Sequence, residues 1–205
     1  MNSSSLIIML DHVSKKYHQK YAIKDINITF NEGILHMITG PNGSGKSTIL
    51  KCIMGILHYD GNIQIQPVKI GYAPEHYVMP DYMTILDFLY QIGRIKSNNS
   101  ITLNEDLNKL LELFQLKEHQ NQMIGKLSNG MKQKVNLIQA LIHNPKILLL
   151  DEPTNAIDTL TEKNLINYIK TRSKTSLIII STHQPEKFAF KNKKVYTIQQ
   201  GCIQG

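Results

Sequence analysis

The stretch GPNGSGKST, residues 40–48, constrains this chain more than any other part of it. Its glycines free backbone N–H groups to converge on oxygens, and Lys46 brings the positive charge that neutralises them. The spacing G-x-x-x-x-G-K-[ST] is that of a phosphate-cradling P-loop, so Gly40, Pro41, Asn42, Gly43, Ser44, Gly45, Lys46, Ser47 and Thr48 are the expected phosphate contacts. Such a loop works between a strand and the N-terminus of a helix, whose dipole favours anions. The flanks supply both: ILHMITG reads as a buried strand entering the loop and STILKCIMGIL as the helix leaving it.

The rest of the chain fits around that unit. LIIMLDHVSKKY and KDINITF read as strands, and in the latter Ile26, Ile28 and Phe30 alternate with polar residues, which predicts a small antiparallel β region with one wet face. LNEDLNKLLELFQL sets Leu103, Leu107, Leu110, Leu111 and Phe114 on one helical stripe after a polar break, SNNS, at 97–100. Residues from about 80 to 125, or to about 140 with the helix after LSNGM, are therefore expected to form an inserted helical subdomain. KILLLDEP and SLIIISTH are continuous apolar runs ending in polar chemistry, the mark of buried parallel strands whose carboxyl ends line a site. The expected fold is α/β with a mainly parallel sheet, in one domain over 1–205, with no internal repeat.

Composition narrows the setting. No apolar run approaches the length of a membrane span, the start lacks the pattern of a signal peptide, and two cysteines suggest no disulfide framework, so a reducing cytoplasm is expected. The 23 basic and 16 acidic residues leave a net charge of +7. No dense basic run with interleaved aromatics occurs, so scattered solvated lysines are preferred and no specific nucleic-acid partner is expected; attraction to an anionic leaflet is a secondary effect. The cluster KNKK at 191–194 reads as a turn.

Within the loop, Lys46 is expected to reach the β- and γ-phosphates, Ser47 to place its hydroxyl on Mg²⁺, and Thr48 to contact the α-phosphate. Asp151 ends a buried strand, where a carboxylate can hold Mg²⁺ through water, and Glu152 follows as candidate general base for a water attacking the γ-phosphate. Two adjacent acids can also merely cap a turn, but the phosphate loop upstream favours the metal and base roles.

GPNGSGKST, LSNGMKQKV at 127–135, ILLLDEPTNAID at 147–158 and STH at 181–183 together resemble the ordered motif set of an ABC-type ATPase, over nearly the whole chain. The resemblance implies the ABC ATPase fold, with ATP and Mg²⁺ as cofactors. It implies that Ser128, Asn129, Gly130 and Met131 act in trans on the γ-phosphate held by a second ATPase subunit. The sequence departs from LSGGQ at Asn129 and Met131, and asparagine is expected to tolerate the special backbone angles of a glycine. By the same resemblance His183 is the switch histidine, Asp158 belongs to the loop that communicates across the dimer, and Tyr17 stacks on adenine. Glu75, in GYAPEH, stands where the family usually has the glutamine that senses Mg²⁺ and touches the membrane partner.

The resemblance further implies a separate transmembrane permease subunit, which would hold the chain on the inner face of the cell membrane. With Glu75, LSNGMKQK and a short C-terminus, the chain looks most like the ATP-binding components of bacterial exporters for peptides, lantibiotics or drugs. The alternatives are a soluble ABC ATPase, for example of the iron–sulfur assembly type, and a nucleotide-sensing module with weak turnover.

Overall fold

The computed structural model describes residues 6–96 and 100–204. Most of the polar break expected at 97–100 lies outside the described residues. In chain order the elements are β1 (Ile7–Tyr17), β2 (Lys20–Asn31), β3 (Leu35–Thr39), α1 (Lys46–Ile53), β4 (Asp60–Ile65), β5 (Ile70–Ala73), α2 (Ile85–Lys96), α3 (Ser100–Leu113), α4 (Asn129–Leu141), β6 (Ile147–Asp151), α5 (Thr159–Arg172), β7 (Leu177–Thr182), β8 (Lys193–Gln199) and β9 (Cys202–Gln204).

They form two sheets, a small antiparallel one ordered β2-β1-β4 and a larger one ordered β5-β6-β7-β3-β8-β9, parallel except where β9 turns back on β8. The alternation in β2 does what its period requires: Ile26, Ile28 and Phe30 are buried while Asp25 and Asn27 face water. β4 completes this sheet against β1, pairing Leu10 with Ile63 and Ile8 with Ile65.

Strands β3, β6 and β7 are buried on both faces, which is why their sequences run apolar without alternation. Leu148 and Leu150 of β6 face a core built with α2, α3, α4 and α5, whereas Ile147 and Leu149 face a second core shared with α1 and the antiparallel sheet. The stripe of Leu103, Leu107, Leu110, Leu111 and Phe114 joins the first of these cores together with Val135 and Ile138 of α4, so the helical insert has no separate core. Each fully buried Leu or Ile contributes roughly 1.5–3 kcal/mol relative to an exposed one, and both layers draw on the same sheet.

KNKK is half strand rather than a turn. Lys193 and Lys194 open β8, in register with Leu35 and His36 of β3, and the pairing absorbs them because their long side chains can reach out of the sheet's end. Among the described residues no helix is long and apolar enough to cross a membrane.

Candidate nucleotide site

β6, β7 and β3 lie side by side and parallel, with Asp151 opposite Ser181 and Thr182 opposite Thr39. Their carboxyl ends therefore release three segments at one edge: the loop 40–45, the acids at 151–152 and His183. The loop turns into α1 at Gly45, whose φ of 111° is the left-handed region, and a Cβ there would stand 2.6 Å from the carbonyl oxygen of Ala22. Lys46 is buried, and its Nζ donates to the carbonyls of Gly40 (2.9 Å) and Pro41 (3.2 Å). Asn42, Gly43, Gly45, Lys46, Ser47 and Thr48 line a cavity of about 340 Å³ together with Glu75 from the loop after β5.

The acids are tied into this edge by hydroxyls. Asp151 is buried, and its Oδ1 accepts from Ser47 Oγ (3.0 Å) and from Ser181 Oγ, while Oδ2 has no hydrogen-bond partner. An orphaned carboxylate oxygen beside a serine hydroxyl is a donor set that suits a hard dication. Mg²⁺ is commonly held by one or two carboxylates plus phosphate oxygens, and Asp151 with Ser47 matches the protein's share of such a set.

Glu152 follows in the left-handed region at φ 47°, with its N–H returning to the carbonyl of Ser181 (3.0 Å). That turn aims its carboxylate inward, where Oε1 lies 3.6 Å from Lys46 Nζ and Oε2 lies 2.9 Å from His183 Nδ1. The Nε2 of His183 is 3.0 Å from the side-chain amide nitrogen of Gln184, a donor, which leaves Nδ1 to face the Glu152 carboxylate. Glu75, Asn129, Lys132 and Glu152 line a second cavity of about 410 Å³.

The segment 128–131 forms the start of α4. Ser128 is its N-cap and accepts from Met131 N–H (3.2 Å). Asn129 is the first helical residue and has no positive φ, so the tolerance of special angles expected of it is not called on: helical geometry suits any ordinary residue. Gly130 matters for closeness instead, since a Cβ there would stand 2.5 Å from the carbonyl oxygen of Ala156. Asp158 caps α5, accepting from Thr161 N–H (2.9 Å), and pairs with Lys134 Nζ at 2.6 Å. Burial opposes its ionisation, but the hydrogen bonds from Lys134 and Thr161 win and hold its carboxyl well below the usual carboxylate range.

Tyr17 stands half exposed at the end of β1, with Lys15 Nζ 5.3 Å from its ring centre. The tyrosine that lines the cavity of about 470 Å³ beside Pro41, Asn42 and Gly43 is Tyr21. Sequence reasoning did not single out Tyr21 as a lining residue, nor Ser181, whose only signal was its place before Thr182 and His183 at a strand's carboxyl end.

Residues 23–155 match the family model for ABC transporters. The chain belongs to the ABC transporter family. The match takes in the loop 40–48, Glu75, the start of α4 and the two acids, and ends before Asp158 and His183. Over 184 residues the chain is 32% identical to an uncharacterized ABC transporter ATP-binding protein of Bacillus subtilis, covering 86% of this chain and 62% of that protein. It is 34% identical over 182 residues to a zinc import ATP-binding protein of Rickettsia conorii, covering 85% of this chain and 76% of that one. The dimeric structure of a bacterial ABC transporter cassette superposes with a TM-score of 0.88 at 25% identity, over 97% of each chain. The chain thus spans less than two thirds of the Bacillus relative's length.

Proposed function

We propose that this chain is the ATP-binding and ATP-hydrolysing subunit of a membrane ABC transporter. The observation that carries the reading is the buried set Lys46, Asp151 and Glu152, with the partly buried Ser47 hydroxyl on Asp151, at one sheet edge, completed by His183. Lys46 neutralises phosphate oxygens, and the loop's N–H groups orient them. Ser47 and Asp151 would hold Mg²⁺, with Glu75 beside them, and when bound the ion supplies further neutralisation of charge on the phosphates. Glu152 Oε1, which has no hydrogen-bond partner, takes the proton of the attacking water while His183 fixes the other oxygen of the carboxylate.

Two copies close head to tail so that Ser128, Asn129, Gly130 and Met131 of one complete the phosphate site of the other, with Asp158 at the junction and Tyr17 against adenine. The dimeric cassette that shares this fold supports that arrangement. A separate permease would dock near Glu75, where Val78 is fully exposed and Tyr82 nearly so, and would hold the chain on the inner membrane face. Export is our reading of the direction, resting on Glu75 and LSNGMKQK; its test is transport by the chain reconstituted with the membrane protein that co-purifies with it.

The deciding experiment for the chemistry is turnover. Glu152→Gln should retain ATP binding and lose about 100- to 10,000-fold in rate, the range expected for a lost general base. Hydrolysis by that variant at the wild-type rate would remove Glu152 from its role. ATP binding by wild type with no turnover would replace hydrolysis with nucleotide sensing.

A further inference from the structure

β5 is an edge strand of the large sheet, and its outward carbonyls belong to alternate residues, Ile70 and Tyr72, followed by Pro74. α4 runs antiparallel along that edge, and its polar side chains meet the carbonyls in sequence. Gln139 Nε2 donates to Tyr72 O (2.7 Å) and Asn136 Nδ2 to Pro74 O (2.8 Å). Each amide also donates to its neighbour: Gln139 Nε2 to Asn136 Oδ1 (3.4 Å), and Asn136 Nδ2 to Gln133 Oε1 (3.2 Å). Gln133 Nε2 then donates to Pro153 O (3.4 Å), and at the other end Lys96 Nζ, on the last residue of α2, donates to Gln139 Oε1 (3.1 Å).

The result is a chain of hydrogen bonds with one direction, from a cation to a carbonyl, in which every amide oxygen accepts, the amide nitrogens of Gln139 and Asn136 donate twice, and that of Gln133 donates once. Gln133 and Asn136 are buried, so the alternatives to these bonds are unpaired polar groups. Donation in a single direction from a charged head polarises each successive link. Two of the main-chain carbonyls that accept from these amides sit next to acids: Pro74 precedes Glu75, and Pro153 follows Glu152. Among the described residues no hydrogen bond joins the phosphate loop to the chain of amides, so its leverage falls on the acids rather than on nucleotide contacts.

We propose that Lys96, Gln139, Asn136 and Gln133 are positioning residues for the hydrolytic step: they fix the loops of Glu75 and Glu152 relative to each other and make that alignment depend on where α2 sits. The proposal rests on the hydrolytic reading above, and it predicts an effect on turnover without one on nucleotide affinity.

The test uses Gln139→Met, which keeps length and loses the donor, and Lys96→Met, which removes the half-buried cation at the helix end and serves if the first variant does not fold. Lys96→Arg keeps a cationic donor and should behave as wild type. Hydrogen exchange is followed at 75–77 and 154–156, with α5 as internal reference, and ATP turnover is measured alongside. Loss of one buried hydrogen bond should speed exchange in both loops about fivefold and lower kcat by about fivefold, with KM for ATP within about twofold. Unchanged exchange in either loop overturns the proposal, as does a lowered Tm with kcat intact. Equal losses in Lys96→Arg and Lys96→Met also overturn it. A wild type that binds ATP without turnover would sink the hydrolytic reading alone, and the exchange measurement would still decide whether the two loops are held through this chain.

Discussion

Lys46 and Glu152 are both almost wholly buried and hold each other at 3.6 Å, yet their removal should not cost the same. The ammonium keeps two carbonyl acceptors when Glu152 is neutralised, whereas the carboxylate loses the buried cation beside it when Lys46 is replaced. Breaking such a pair from the cation side costs roughly 3–5 kcal/mol. Thermal unfolding should therefore show Lys46→Met losing much more Tm than Glu152→Gln. Equal losses would mean that Glu152 is not held by the lysine. The residues of this pair were legible because a short motif carries each. Ser181 was not, because its hydrogen bond to Asp151 spans 30 residues and leaves no local pattern.

The helix α4 concentrates the next level of consequence. Its cap, Ser128, is worth about 1 kcal/mol, so Ser128→Ala should lower Tm by roughly 2–4 °C in a chain of this size, measured by calorimetry. Just beyond its other end, His143 Nε2 lies 3.2 Å from the carbonyl of Ile70, while Nδ1 is buried with no partner. Burial, aided by the Lys96 cation, pushes this imidazole down to about 4. The folded state keeps it neutral, while the unfolded chain takes up the proton below about pH 6.5. Its contribution is thus fully present above that pH and is lost as pH falls toward 4. His143→Gln, which can still donate to Ile70, should flatten the fall in Tm across this window; an unchanged slope would place the acid sensitivity elsewhere. At this scale β3, β6 and β7 were readable from continuous apolar runs, but β4 was not: Ile63 and Ile65 among Asp60, Gly61, Asn62 and Gln64 make too short an alternation to stand out. The KNKK turn failed for the opposite reason, since pairing with β3 overrode the local preference of lysine and asparagine.

For the whole molecule, the parallel sheet collects the phosphate loop, the acids and His183 at one edge, and that ordering followed from the sequence because each motif terminates a strand. What did not follow is the seam between β5 and α4, formed by residues more than sixty positions apart in the chain. The head-to-tail arrangement carries its own prediction: Glu152→Gln with ATP and Mg²⁺ should run at about twice the 23.4 kDa chain mass in light scattering and return to one chain when nucleotide is removed. A mass that never changes would sink closure of two copies. The seam has one more consequence. An edge strand with free carbonyls recruits strands from neighbouring chains, and α4 occupies those of Tyr72 and Pro74 while His143, just beyond the helix, meets that of Ile70. The helix that opens with Ser128 therefore also acts as a guard against aggregation, and fraying of α4 would expose the β5 edge for sheet-to-sheet association.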